Sequence, residues 1–348
     1  MEWTRRDLLR LSAAAMALGV PGGGGLAQAR QARPGGAAVG REGEGDRYDV
    51  VIIGGGPAGL SGALALGRAV RRVLLVDGGA PRNAAAAAVH NFVTRDGVPP
   101  AEFRRIARAQ LAPYAVDFAE RVAVAVTGEP GRFEVTFEDG AVACRRVLVC
   151  VGMVDELLSM PGYRELWGAS IFQCPYCHGW ERRGRPWGVL ADSPEMAAWA
   201  SFLTAWTPDV TVFTSGAFAL AEETRAELTR RGVKVEDRAI ARLVPAANSG
   251  QGEQGAEPAL EAVELEGGER VPCEALLSRP PQRQTAFVQS LGLALDEAGF
   301  VAVNERMATS RPGIYAAGDL CTRMQSALGA ASAGQLAASV LNHELWMA

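Results

Sequence analysis

The sequence predicts an α/β fold of the Rossmann-like, three-layer nucleotide-binding kind, with length to spare for a second domain. Three observations carry this. A fully apolar run, Val50-Val51-Ile52-Ile53, leads straight into Gly54-Gly55-Gly56-Pro57-Ala58-Gly59, a G-x-G-x-x-G turn. A second apolar run, Val73-Leu74-Leu75-Val76, ends in Asp77, about 20 residues beyond that turn. Far downstream, Ile314-Tyr315-Ala316-Ala317-Gly318-Asp319 repeats the theme of an apolar strand closed by glycine and an acid. The 348 residues exceed one ordinary domain and suit two.

The chain opens with material outside that fold. Thr4-Arg5-Arg6-Asp7 carries paired arginines, residues 11–20 are mostly apolar, and Ala27-Gln28-Ala29 has the small-x-small form of a signal-peptidase site. Residues 1–29 therefore read as a twin-arginine-type signal peptide, a route that exports proteins already folded, to a periplasmic or other extracytoplasmic compartment. A tail with a chance Arg-Arg pair is the plainer alternative. The apolar run is too short to span a bilayer, so no permanent membrane span is expected. Residues 30–45, rich in Gly, Ala and charge, read as a flexible linker.

The whole chain has 35 basic and 39 acidic residues. Without residues 1–29, which hold three arginines and two acids, 32 basic residues face 37 acidic ones, a net charge of −5. No basic face for nucleic acid is expected. Lys234 is the only lysine, which excludes a Walker-type phosphate loop and argues against Schiff-base chemistry.

In the first half, the glycines of the Gly54–Gly59 turn permit close approach of a pyrophosphate to the N-terminus of a helix starting near Pro57. Asp77 is placed to bind ribose hydroxyls. In the following loop Arg82 and Asn83 are within reach of a dinucleotide. His90 reads more as an ordinary loop residue than as a partner of flavin or substrate. Residues 102–112 look helical, and residues 133–151 read as a hairpin turning at Glu138-Asp139-Gly140. Residues 325–341, rich in small side chains, look helical again.

The chemistry centres on Cys174-Pro175-Tyr176-Cys177-His178-Gly179-Trp180. Two thiols at CxxC spacing can close a small disulfide and pass electrons through a mixed disulfide. An adjacent imidazole can move the proton that each step needs. Structural zinc would require four ligands, and neither a second CxxC nor a paired histidine motif is present. Cys144, Cys150, Cys273 and Cys321 read as small buried apolar residues. A purely structural disulfide at 174–177 would close too small a loop to stabilise much. Tyr176 and Trp180 line a substrate cleft or simply pack.

With a nucleotide-binding half, a hairpin, a CxxC and a returning Gly-Asp strand, the chain from about residue 48 to its end resembles the low-molecular-weight thioredoxin reductase family. That family belongs to the class II pyridine nucleotide–disulfide oxidoreductases. The resemblance implies two Rossmann-like three-layer domains, the second inserted into the first: FAD-binding over 46–156 and 282–348, and NAD(P)-binding-like over 157–281 with the CxxC. It implies FAD at Gly54, Gly56, Pro57, Ala58, Gly59, Asp77, Arg82 and Asn83, and at Gly318, Asp319, Gln325, Ser326 and Ala327 on the return. It also implies a homodimer. Within the inserted half the nicotinamide fingerprint is eroded. Val189-Leu190-Ala191-Asp192-Ser193-Pro194 stands where consecutive glycines are usual, and Leu276-Leu277-Ser278-Arg279 replaces a glycine-bearing strand end. Tight NADP(H) binding is not expected there.

In the family pattern the second cysteine faces the flavin and the first meets substrate, which assigns Cys177 and Cys174 in turn. Reductases carry Asp after the pair; His178 instead is similar to the CxxCHG form of the dithiol oxidase branch, which closes disulfides in natural products such as gliotoxin and romidepsin. His178 is then the implied base. The expected activity is oxidation of a small-molecule dithiol or an exported redox protein, with oxygen or another acceptor taking the electrons. The alternatives are an NAD(P)H-dependent disulfide reductase and a flavin-bound redox sensor without turnover.

Overall fold

The computed structural model describes residues 47–247 and 258–348. The expected signal peptide, the linker and most of the Gln-, Gly- and Glu-rich stretch 246–258 lie outside them.

β1 (Tyr48–Ile53) turns into α1 (Pro57–Arg68), and β2 (Val73–Val76) returns beside β1. α2 (Pro100–Ala109) leads to β3 (Val116–Ala119), followed by an antiparallel meander of β4 (Ala123–Glu129), β5 (Arg132–Phe137) and β6 (Gly140–Val149). Here the chain leaves the first sheet. β7 (Val154–Asp155), α3 (Tyr163–Leu166) and β8 (Ile171–Phe172) bring it to α4 (Pro175–His178), the short helix of the CxxC. β9 (Trp187–Leu190), α5 (Pro194–Trp199), β10 (Val210–Phe213), α6 (Glu222–Arg230) and β11 (Val233–Glu236) repeat the strand–helix alternation. β12 (Ile240–Pro245), β13 (Leu260–Leu265) and β14 (Arg270–Pro272) form a small antiparallel sheet, and β15 (Ala275–Leu277) completes the parallel sheet β11-β10-β9-β15-β8. β16 (Gln282–Arg283) pairs antiparallel with β7, so the exit from the insertion runs beside its entry. After α7 (Ala286–Ser290), β17 (Ile314–Ala316) rejoins the first sheet beside β6, and α8 (Ala327–Met347) closes the chain.

This is the expected architecture, a second Rossmann-like sheet inserted into the first. β6 makes it possible: its first half pairs with β5 and its last three residues, Val147 to Val149, pair in parallel with β17. β1 and β2 read as continuous apolar runs because both faces are covered. Val51, Ile53, Leu74 and Val76 face the meander side, while Val50, Ile52, Val73 and Leu75 face α1 and α8, as the two-residue period of a strand requires.

The small-residue composition of α8 has a packing cause. A Cβ at Gly334 would lie 2.0 Å from the Ala58 carbonyl oxygen, so α8 crosses α1 nearly backbone to backbone. The helix starts later than residue 325, because Ser326 is its N-cap and its hydroxyl accepts the Gly329 N–H at 3.0 Å. Gln325 is left outside, free to bond elsewhere. Likewise α2 ends at Ala109 rather than continuing to residue 112.

Gly334→Val should lower stability by about 1–3 kcal/mol through overpacking at this crossing. Because Ala58 sits in the first turn of α1, the same change should reduce the flavin-to-protein ratio of purified material. A melt and an absorbance spectrum that both match wild type would show that the helices can spread without cost.

Candidate active site

The first fingerprint forms a cradle that side chains would fill. Gly54 adopts φ +113°, and a Cβ there would meet the Cys150 carbonyl oxygen at 2.3 Å. A Cβ at Gly59 would fall 1.9 Å from the Gly54 oxygen, whereas one at Gly56 meets nothing within 4 Å. The space ahead of α1 is therefore open. No side chain caps that helix, and its first turn holds no acid. Its free amides, from Ala58 onward, suit an anionic pyrophosphate. Asp77 ends β2 with one oxygen on the Gly79 N–H at 3.1 Å and the other on Arg108 at 2.5 Å. Gly318, at φ +96°, brings the second fingerprint against Ala58, so the two glycine turns share one site.

Between the fingerprints runs a polar chain that the sequence reading only partly anticipated. Arg82 does not stand alone on its loop. Its Nε donates to Asp155 at 2.8 Å and its Nη1 to Asp319 at 2.9 Å. Gln282 donates to the other Asp155 oxygen at 2.7 Å and accepts from Gln325 at 2.9 Å. Gln173, next to Cys174, donates to Gln325 at 3.4 Å. Asp155, Gln282 and Gln173 carried no motif, and only the strand pairing of β7 with β16 brings them together. Burial raises the Asp319 carboxyl pKa, and Arg82 opposes that rise. The Arg82 Nη2 is buried without a partner, a donor waiting for a ligand oxygen. Asn83 is exposed, with no side-chain hydrogen bond among the described residues. The cradle, the open helix terminus and the unused donor fit FAD.

Cys174 is the N-cap of α4, and Cys177 returns its N–H to the Cys174 carbonyl at 3.2 Å. The two are joined as a disulfide with Cα atoms 5.3 Å apart, and both are partly exposed. Gly179 is required by packing: a Cβ there would sit 2.7 Å from the Trp206 indole nitrogen. His178 lies against Phe172, with ring centroids 5.2 Å apart. Burial lowers its pKa from 6.5 to about 4; His90 adds repulsion, Glu181 opposes and Arg182 adds further repulsion. At neutral pH the imidazole is therefore uncharged and able to accept a proton. Burial raises the pKa values of Cys144, Cys150, Cys273 and Cys321, so these thiols stay protonated.

His90, read as an ordinary loop residue, is brought to this helix. Its Nε2 lies 3.6 Å from Glu181 and its Nδ1 3.4 Å from Asp96. Asn91 beside it, at φ +58°, donates its side-chain amide to the Tyr176 carbonyl. Tyr176 and Trp180 are about two-thirds exposed beside the disulfide, Tyr176 packing edge-on to Trp206 at 5.6 Å and against Phe202 at 6.1 Å.

The matching helix of the inserted half is built differently. Both helices begin with a proline, but α5 has only six residues and carries Glu195 in its first turn. Ser193 caps it, taking the Met196 N–H at 3.3 Å. Where α1 leaves its first-turn amides uncapped, α5 has its Met196 amide taken by Ser193 and a carboxylate beside it.

A family model described as pyridine nucleotide-disulphide oxidoreductase matches residues 48–334. The chain is 32% identical over 314 residues to "Thioredoxin reductase sirT" of Leptosphaeria maculans, covering 85% of this chain and 94% of that one. It is 33% identical over 312 residues to "Thioredoxin reductase tcpT" of Claviceps purpurea, covering 85% and 94%. Among solved structures it is similar to HlmI, with a TM-score of 0.78 and 35% identity over 86% of this chain and 93% of that one.

The buried neutral imidazole has a consequence for stability. Between pH 6.5 and about 4 the unfolded chain binds the proton that the native His178 excludes. Stability from this group is thus full above 6.5 and lost as pH falls through that window. His178→Gln should flatten this part of the profile, read from urea midpoints at several pH values. Equal slopes in both proteins would contradict the burial argument.

Proposed function

Because the chain belongs to the pyridine nucleotide-disulphide oxidoreductase family, and is an FAD-dependent thioredoxin reductase-like oxidoreductase acting on sulfur groups, we propose that it works as an exported dithiol oxidase. The observation that carries the direction of electron flow is the contrast between the two helix termini: α1 is uncapped and has no acid in its first turn, while α5 is capped by Ser193 and carries Glu195 there. A reductase needs both sites; an oxidase of substrate thiols needs only the first. The twin-arginine pattern around Arg5-Arg6 supports the same direction, since an oxidising compartment favours disulfide formation. A homodimeric state rests on the family resemblance alone.

The residues divide the work. The first substrate thiol gives its proton to the neutral imidazole of His178, and its sulfur attacks Cys174. A substrate–Cys174 bond forms as the Cys174–Cys177 bond breaks, and Cys177 leaves as a thiolate. That negative charge beside His178 favours the protonated imidazole, which offsets its burial at the moment the proton arrives. As its proton passes to the departing Cys174 sulfur, the second substrate thiol attacks the substrate sulfur of the mixed disulfide. It closes the substrate disulfide and expels Cys174, so substrate has lost two electrons and two protons and the cysteine pair has gained two electrons. FAD, when bound, supplies the two-electron acceptor through which oxygen or another oxidant restores the Cys174–Cys177 disulfide. Phe172 packs against one side of the imidazole and helps to hold it in place.

The test is direct. FAD-loaded protein mixed anaerobically with NADPH should keep its flavin absorbance, and a small dithiol should bleach it. Readmitted air should be consumed with disulfide formation. Rapid bleaching by NADPH would sink the oxidase reading. Cys174→Ser should lower dithiol oxidation by about a thousandfold or more, as loss of a nucleophile's partner does. A tolerated substitution there would point instead to a flavin-bound protein that does not turn over.

A further inference from the structure

One cluster beside the redox disulfide has no part in the chemistry above. Arg279 lies two residues past β15, and the intervening Ser278 donates its backbone N–H to the Phe172 carbonyl at 3.0 Å. It therefore leaves the sheet at the carboxyl end, beside the segment that enters Cys174, where open α/β sheets place their ligands. Arg323 lies two residues before Gln325, which is bonded to Gln173 on the other side of that segment. Both arginines are exposed, and neither forms an ion pair among the described residues. Arg279 is not loose: its guanidinium lies 4.7 Å over the Trp199 ring. Trp199 packs on Phe202 at 5.5 Å, and Phe202 on Tyr176 at 6.1 Å, inside the CxxC itself. Partial desolvation lowers the Arg279 pKa, the charge of Arg323 lowers it further, and Asp192 opposes both. Two guanidinium groups flanking the same segment, one docked on a ring and neither ion-paired among the described residues, suit an anion held between them.

We propose that Arg279 and Arg323 form an anion subsite, and that the dithiol oxidised at Cys174 carries a carboxylate or similar anionic group bound there. This rests on the dithiol oxidase reading for the word substrate, though not for the site. The aromatic row from Trp199 to Tyr176 gives the uncharged body of such a molecule a surface between its anionic end and its thiols. The same guanidinium chemistry would accept a nucleotide phosphate, and the experiment separates the two.

Lipoate and lipoamide differ only in the charge of the end group and keep the sulfur ring constant. Titrated into the oxidised FAD-loaded protein and followed by tryptophan emission, lipoate should bind about tenfold more tightly at low salt. The gap should close in R279Q/R323Q and in about 0.5 M salt, and survive in R279K/R323K. In oxygen uptake the kcat/KM ratio of dihydrolipoate to dihydrolipoamide should follow the same pattern. Equal affinities in wild type, or a gap that persists in R279Q/R323Q, would overturn the subsite. Tighter binding of 2′,5′-ADP than of lipoate, with the same arginine dependence, would overturn the substrate assignment in favour of a nucleotide. A binding gap without turnover of either dithiol would support the subsite and remove the oxidase reading. Turnover of both without a gap would do the reverse.

Discussion

A single hydrogen-bonded chain, Gln173–Gln325–Gln282–Asp155–Arg82–Asp319, holds the two halves of the molecule in the arrangement its chemistry needs. It starts at the residue before the redox cysteine and ends at the acid of the second fingerprint. Its central link is the β7–β16 pairing, where the two strands crossing between the sheets lie side by side. Buried polar groups of this kind are costly unless each is satisfied, so the chain constrains how the inserted half can sit. Asp155 is bonded on both oxygens, and Gln282 and Gln325 bond each other. The one orphaned atom, Arg82 Nη2, is at the cofactor end.

The same strand–turn–helix unit occurs twice in the molecule and serves two ends. In the first copy Gly54 and Gly59 are required by backbone contacts under 2.5 Å that any Cβ would make, and the helix terminus is left uncapped. In the second copy Ala191, Asp192 and Ser193 supply side chains, and the serine hydroxyl occupies an amide that a phosphate would otherwise use. The fold survives because a parallel sheet with helices on its faces is stabilised by burial of Trp187, Val189, Val210 and Val212 in its apolar core. The second copy keeps the architecture of the first without its uncapped helix terminus.

The redox helix is positioned by aromatic packing rather than by its own hydrogen bonds. Four residues cannot hold a helix in water. Trp206 presses on Gly179 and Tyr176, Phe172 backs His178, and the loop of His90 and Asn91 clamps the other side. The packing that holds the helix thus also sets the basicity of His178.

Much of the fold was legible in the residues themselves. Apolar runs bounded by glycine, an acid at the end of the second strand and the Gly318-Asp319 return are local patterns, set by backbone sterics and strand burial, and these do not depend on distant partners. The CxxCHG run likewise announces its thiol chemistry, because reactive groups adjacent in sequence are adjacent in space. What needed the tertiary structure were the contacts made across long separations. Asp155 and Gln282 have no motif and acquire a role only through strand pairing. His90 reads as a loop residue until the fold sets it beside Glu181. Arg279 and Arg323, forty-four positions apart, become one cluster only because β15 and the approach to α8 flank the same segment. Local chemistry determined the redox motif and the cofactor cradle; the neutral state of His178 and the surroundings of the disulfide were decided by burial, which no run of neighbouring residues encodes.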